Sequence, residues 1–78
     1  MESYEIYKRV KKIGDEKMEL SAEGGNVCIE KMQDQYEMTL MNGVVLIIFD
    51  SMDCVDSEHI EFYLGGMCVA NLDTSKIV

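Results

Sequence analysis

A chain of 78 residues has room for one domain, which buries only about 60% of its unfolded surface. Its 15 acidic and 7 basic side chains leave a net charge of −8, a field that repels nucleic acid and anionic membranes and attracts cationic partners. Apolar residues make up 47% of the chain and no low-complexity or proline-rich tract interrupts them, which excludes disorder.

Residues 3–13 read as a helix, with Ser3 as N-cap, Glu5 in the first turn and Gly14 as the C′ stop. Ile6, Val10 and Ile13 recur at helical spacing and Tyr7 widens the stripe. Lys8, Arg9, Lys11 and Lys12 fall toward the C-terminal end, where cations complement the helix dipole, and Glu5 can pair with Arg9.

From Met18 onward the pattern changes to strands, expected at 18–23, 26–32, 36–41, 44–50, 59–64 and 67–72. Gly24-Gly25, Asn42-Gly43 and Gly65-Gly66 are hairpin signals because they supply the positive φ of tight turns. Gln33-Asp34-Gln35 is a polar connection, and residues 51–58 form one long connection with room for a helical turn. The expected fold class is α+β: one N-terminal helix and a five- to six-stranded antiparallel meander over 18–72, all in a single domain of residues 1–78.

Two-residue turns fix the expected registers. The Asn42-Gly43 turn gathers Tyr36, Met38, Leu40, Val45, Ile47 and Phe49 on one apolar face. The Gly65-Gly66 turn puts Ile60, Phe62, Leu64, Met67 and Val69 together, with Glu61, Tyr63, Cys68 and Ala70 opposite. Around Gly24-Gly25, Leu20, Ala22, Val27 and Ile29 gather, but Glu19 then opposes Glu30, a like-charge pair. The run from Val44 to Phe49 is apolar on both faces, and one helix covers only one of them. A homodimer that buries Val44, Leu46 and Ile48 is the expected solution, with curling toward a barrel as the alternative.

Charge is segregated along the chain. Residues 1–17 carry five basic and four acidic side chains, residues 18–78 two and eleven. Between Lys31 and Lys76 no lysine or arginine occurs, and His59 is the one side chain there that can become cationic. Cys28, Cys54 and Cys68 are odd in number and form no C-x-x-C pair; with an acidic, polar N-terminus in place of a signal peptide, they read as reduced thiols in a cytoplasmic protein. The Val44–Phe49 run is far short of the roughly 20 residues of a membrane span.

No constellation carries recognisable catalysis, and the expectation is a non-enzyme without cofactor or metal. Asp50, Asp53 and Asp56 are spaced by three where an EF-hand needs every second position, and Val55 stands where its glycine belongs. Cys54 and His59 supply two of the four ligands zinc requires, and acidic surroundings disfavour a thiolate nucleophile. No G-x-G-x-x-G, P-loop or Ser-His-Asp arrangement is present. The Lys8–Lys12 cluster lacks the interleaved aromatics of a nucleic-acid footprint.

The expected function is that of a small acidic inhibitor or adaptor docking on a basic, nucleic-acid-handling protein surface in the manner of a DNA mimic. Its contacts would come from Asp50, Asp53, Asp56, Glu58, Glu61, Glu19 and Glu23, since carboxylates at i and i+2 of a strand lie roughly 6.6 Å apart in a regular row. In size, charge and lack of a catalytic motif the chain resembles the small phage-encoded anti-CRISPR and anti-restriction proteins, a likeness of type that assigns no residue. The alternative is a self-assembling binding module holding a peptide or small molecule at a subunit seam, with Met38, Met41, Met52 and Met67 as adaptable packing.

Overall fold

The computed structural model describes residues 1–40 and 45–78. Helix α1 (Ser3–Lys11) is followed by seven antiparallel strands: β1 (Lys17–Leu20), β2 (Val27–Met32), β3 (Gln35–Leu40), β4 (Val45–Phe49), β5 (Ser51–Asp56), β6 (His59–Leu64) and β7 (Met67–Asp73). A short 3-10 turn, Thr74–Lys76, closes the chain. The strands form two sheets, β1-β2-β3-β4 and β5-β6-β7, and not a closed barrel. A bend at Asp50 joins the sheets on one side, and an isolated bridge between Ala22 and Ile77 ties the far ends together.

The α+β reading holds, and its strand count rises by one. Residues 51–56 are strand β5 rather than connection, because Met52 and Cys54 alternate with exposed Ser51, Asp53 and Val55. The turn to β6 is only Ser57-Glu58; Asp56 Oδ1 accepts the Glu58 N–H at 2.8 Å, the local bond that makes aspartate a turn former.

Helix α1 is shorter than 3–13, and neither expected cap is used. Glu2 holds the N-cap position, while Ser3 is buried: its N–H goes to the Ser57 carbonyl and its hydroxyl to the Asp56 carbonyl. A tertiary acceptor has displaced the local capping bond. Lys12 is the C-cap, and Gly14 does not take a positive φ. Glu5 pairs with Lys8 at 3.6 Å, not with Arg9, whose guanidinium turns toward Met1 Sδ.

Two of the expected registers change. Between β1 and β2 the ladder slips by two residues, so Lys17 faces Glu30 and Glu19 faces Cys28. The slip removes the like-charge pairing of Glu19 with Glu30, and an even slip leaves the buried face unchanged. Between β6 and β7 a bulge at Val69 pairs Phe62 with Ala70 and Tyr63 with Cys68. Ala70 and Leu72 therefore turn to the core face, while Met67 and Val69 are exposed. The β3–β4 register is as expected, with Tyr36, Met38 and Leu40 opposite Phe49, Ile47 and Val45. The Asn42-Gly43 turn, with Met41 and Val44, lies outside the described residues.

Between the sheets lie Met18, Leu20, Val27, Ile29, Met38, Phe49, Ile60, Phe62 and Ile77, with Ile6 and Val10 of α1. Phe49 stacks on Tyr36 at 5.0 Å between centroids and meets Phe62 at 4.6 Å in a tilted contact. Phe62 is fully buried, so Phe62→Ala is expected to cost about 3–5 kcal/mol. That is a large share of the roughly 4–12 kcal/mol available to a chain of this length. Urea denaturation followed by circular dichroism checks this; a midpoint close to that of the parent would show that the ring does not join the sheets.

Candidate functional site

The outer face of β5-β6-β7 collects the acidic residues of the C-terminal half. Strand pairing places them in three cross-strand rows: Asp56, His59 and Asp73; Asp53, Glu61 and Asn71; Ser51, Tyr63 and Cys68. Members of a row lie about 4.8 Å apart by strand spacing. Asp53 opposes Glu61 directly, two carboxylates with no cation between them. The bulge at Val55 resets the alternation of β5 so that Asp56 meets His59 on the same side as Asp53 and Glu61.

Each row has its own electrostatics. His59 Nδ1 lies 2.9 Å from Asp56 Oδ1, and this bond raises the imidazole pKa above its ordinary 6.5, helped by the fields of Asp73 and Glu58. Asp56 is held below 3.8 by the Glu58 N–H first and by His59 second. Asp73 is lowered by the Ser75 hydroxyl and N–H, which its carboxylate accepts at 2.6 and 3.0 Å. In the third row, desolvation and the carboxylates of Glu61 and Asp53 raise the Tyr63 phenol. The Cys68 thiol, raised by desolvation and by its bond to Glu61, is a poor nucleophile.

Of the residues expected to bind a partner, Asp50, Asp53, Asp56, Glu58 and Glu61 lie on or beside the β5–β6 hairpin. Asp50 is partly committed, since its Oδ2 accepts the Gly65 N–H at 3.1 Å at the tip of the next hairpin. Glu19 and Glu23 belong elsewhere: Glu19 is on the outer face of the other sheet, opposite Cys28, and Glu23 is in the loop between β1 and β2. That sheet holds a second opposed carboxylate pair, Glu30 and Glu37, with Lys17 beside Glu30. Asp73 and Asn71 complete the face and were not legible as site residues, because only the β7 bulge brings them outward; Tyr63 faces outward as its strand alternation predicts.

Helix cations do not neutralise this face. Among the described residues the ion pairs are Lys8 with Glu5 and His59 with Asp56. Lys8 and Lys11 lie over the rings of Tyr4 and Tyr7, at 5.1 and 5.5 Å from their centroids. The described residues contain no group of three side chains placed to hold a metal ion, and no helix long and apolar enough to cross a membrane. Comparison of the chain with protein families, characterised proteins and solved structures finds no match.

The chain has a single histidine, so the Asp56–His59 pair can be read cleanly. A raised His59 contributes stability below pH 6.5 that is lost as pH rises through its folded pKa. A lowered Asp56 contributes stability above pH 3.8 that is lost as pH falls through its own. The pair is therefore fully stabilising between those two values. Asp56→Asn keeps an acceptor for the Glu58 N–H but removes the charge; NMR titration should then return His59 toward 6.5, and an unmoved titration would mean that Asp56 is not its partner.

Proposed function

We propose that the protein acts by binding, as an acidic inhibitor or adaptor whose β5-β6-β7 face docks on a basic surface of a nucleic-acid-handling protein. The observation that carries this reading is the opposed Asp53–Glu61 pair, flanked by Asp56 and Asp73; among the described residues no lysine or arginine forms an ion pair with either of the two, and the field of Lys76 reaches Asp73 at the margin. Like charges directly across a ladder destabilise the free protein, and a cationic partner would relieve that repulsion. Rows of carboxylates at strand spacing suit guanidinium and ammonium groups built to hold phosphates. An inhibitor of the kind that phages direct at bacterial defence would use such a face to exclude the nucleic acid. The chain has a second reading, as a homodimer joined at strand β4, whose Leu46 and Ile48 are exposed.

Neutralising the pair separates binding from folding. Asp53→Asn with Glu61→Gln should raise the thermal midpoint, because repulsion is removed, while weakening capture of basic nucleic-acid-binding proteins from a bacterial lysate. Capture by the parent should fall as salt shortens the Debye length from about 10 Å at 0.1 M to about 3 Å at 1 M, and added DNA or RNA should displace it. Undiminished capture by the double variant, or capture insensitive to salt and nucleic acid, would rule the acidic face out as the docking surface.

A further inference from the structure

Four strands end a sheet: β1, β4, β5 and β7. Exposed sheet edges template pairing with other chains, and proteins defend them with charge, short strands or bulges. β1 has four residues, two of them the charged Lys17 and Glu19, and its chain continues into the Ala22–Ile77 bridge. β5 carries Asp53, Asp56 and the bulge at Val55, and β7 the bulge at Val69. β4 has none of these devices. Its residues Val45-Leu46-Ile47-Ile48-Phe49 are uncharged, its ladder to β3 runs without a register shift, and among the described residues it pairs with β3 alone. Val45, Leu46 and Ile48 are 47, 55 and 38% exposed.

We infer that β4 pairs with β4 of a second copy, antiparallel about a two-fold axis at Ile47, joining the two four-stranded sheets edge to edge. The sequence of the strand is what selects a copy of itself as occupant. With Ile47 on the axis, Leu46 lies opposite Ile48 of the partner and Val45 opposite Phe49 of the partner. Directly opposed residues share a face, so the two exposed outward side chains, Leu46 and Ile48, cover each other across the seam. An isologous contact of this kind closes at the dimer and leaves no further β4 edge to propagate from.

Charge permits the contact here and opposes it elsewhere. Two copies that each carry −8 repel wherever their acidic faces meet. Across the β4 seam the nearest acid of the sheet is Glu37, which sits on β3 opposite Ile48. Glu37 and its copy are then three strand spacings apart, about 14 Å, well beyond the roughly 8 Å screening length at physiological ionic strength. Residual repulsion gives this association a salt dependence of opposite sign to that of a cationic partner on the acidic face: added salt should tighten the dimer.

The register can be tested by charge exchange. Leu46→Glu lies beside Thr39 and Ile48→Lys beside Glu37 within one chain, so both substitutions keep the fold, as circular dichroism should confirm. In sedimentation equilibrium across a concentration and salt series, the parent should dimerise, more tightly at higher salt. Each single variant should dimerise about tenfold or more weakly, because it sets a charge against an apolar side chain. The L46E/I48K double variant should return to within about threefold of the parent, since the axis sets each new charge against its opposite, a pairing that stabilises a ladder. Mixing the two single variants should give a heterodimer. A parent that stays monomeric at every concentration overturns the inference and leaves the edge to a strand of another protein. A dimer that ignores the single substitutions, or a double variant as weak as the singles, overturns β4 pairing at this register.

Discussion

The contact between Phe49 and Phe62, 4.6 Å between ring centroids, sits where one sheet passes into the other. Phe49 is the last residue of β4, and after the bend at Asp50 the chain re-enters pairing as β5 in the second sheet. The Asp50 N–H bonds the Tyr63 carbonyl at 2.8 Å, and its carboxylate takes the Gly65 N–H, so the bend is fixed from both sides. With two aromatic rings buried at this corner and Tyr36 stacked behind them, the inner faces of both sheets are determined. Their outer faces follow from strand alternation, and with them the placement of nearly every acid in the C-terminal half.

That arrangement leaves a small domain with its charge unevenly spent. The cations of α1 stay with the helix, over the tyrosines, against Glu5 or toward Met1. Lys17 faces Glu30 across the first ladder, yet Glu37 stands on the far side of Glu30, and Asp53 faces Glu61. Repulsion at such exposed pairs is weak enough for an apolar core to hold the fold against it. A charge-free edge strand, β4, thus lies in the same small domain as faces that carry opposed carboxylates.

Much of this was legible in the sequence where a period and a turn agreed. Ile6 and Val10 mark the buried stripe of α1, and the β3–β4 register follows from the apolar alternation of Tyr36 to Phe49. The helix caps were not legible, because Ser3 prefers the carbonyls of Asp56 and Ser57, more than fifty residues away in the chain. Strand β5 carried its signal in Met52 and Cys54, but the threefold spacing of its aspartates imitated a solvated turn. In the first hairpin the two glycines suggested a two-residue turn; the longer loop instead places Lys17 opposite Glu30 and Glu19 opposite Cys28.

Two single-residue bulges convert the sequence pattern into the acidic face. Without the extra residue at Val55, strict alternation would aim Asp56 toward the same side as Met52 and Cys54, into the core. Without the one at Val69, β7 would send Asn71 inward opposite Ile60 and leave Leu72 outside. Each bulge expels a valine to the surface, Val55 at 52% and Val69 at 40% exposure, and in return brings polar groups into register with His59 and Glu61. An exposed valine forfeits roughly 1.5–3 kcal/mol of burial, whereas a buried aspartate without a partner would cost more than that. The bulges are thus the cheaper way to reconcile this sequence with a two-sheet core, and the acidic face is the geometric consequence of that choice.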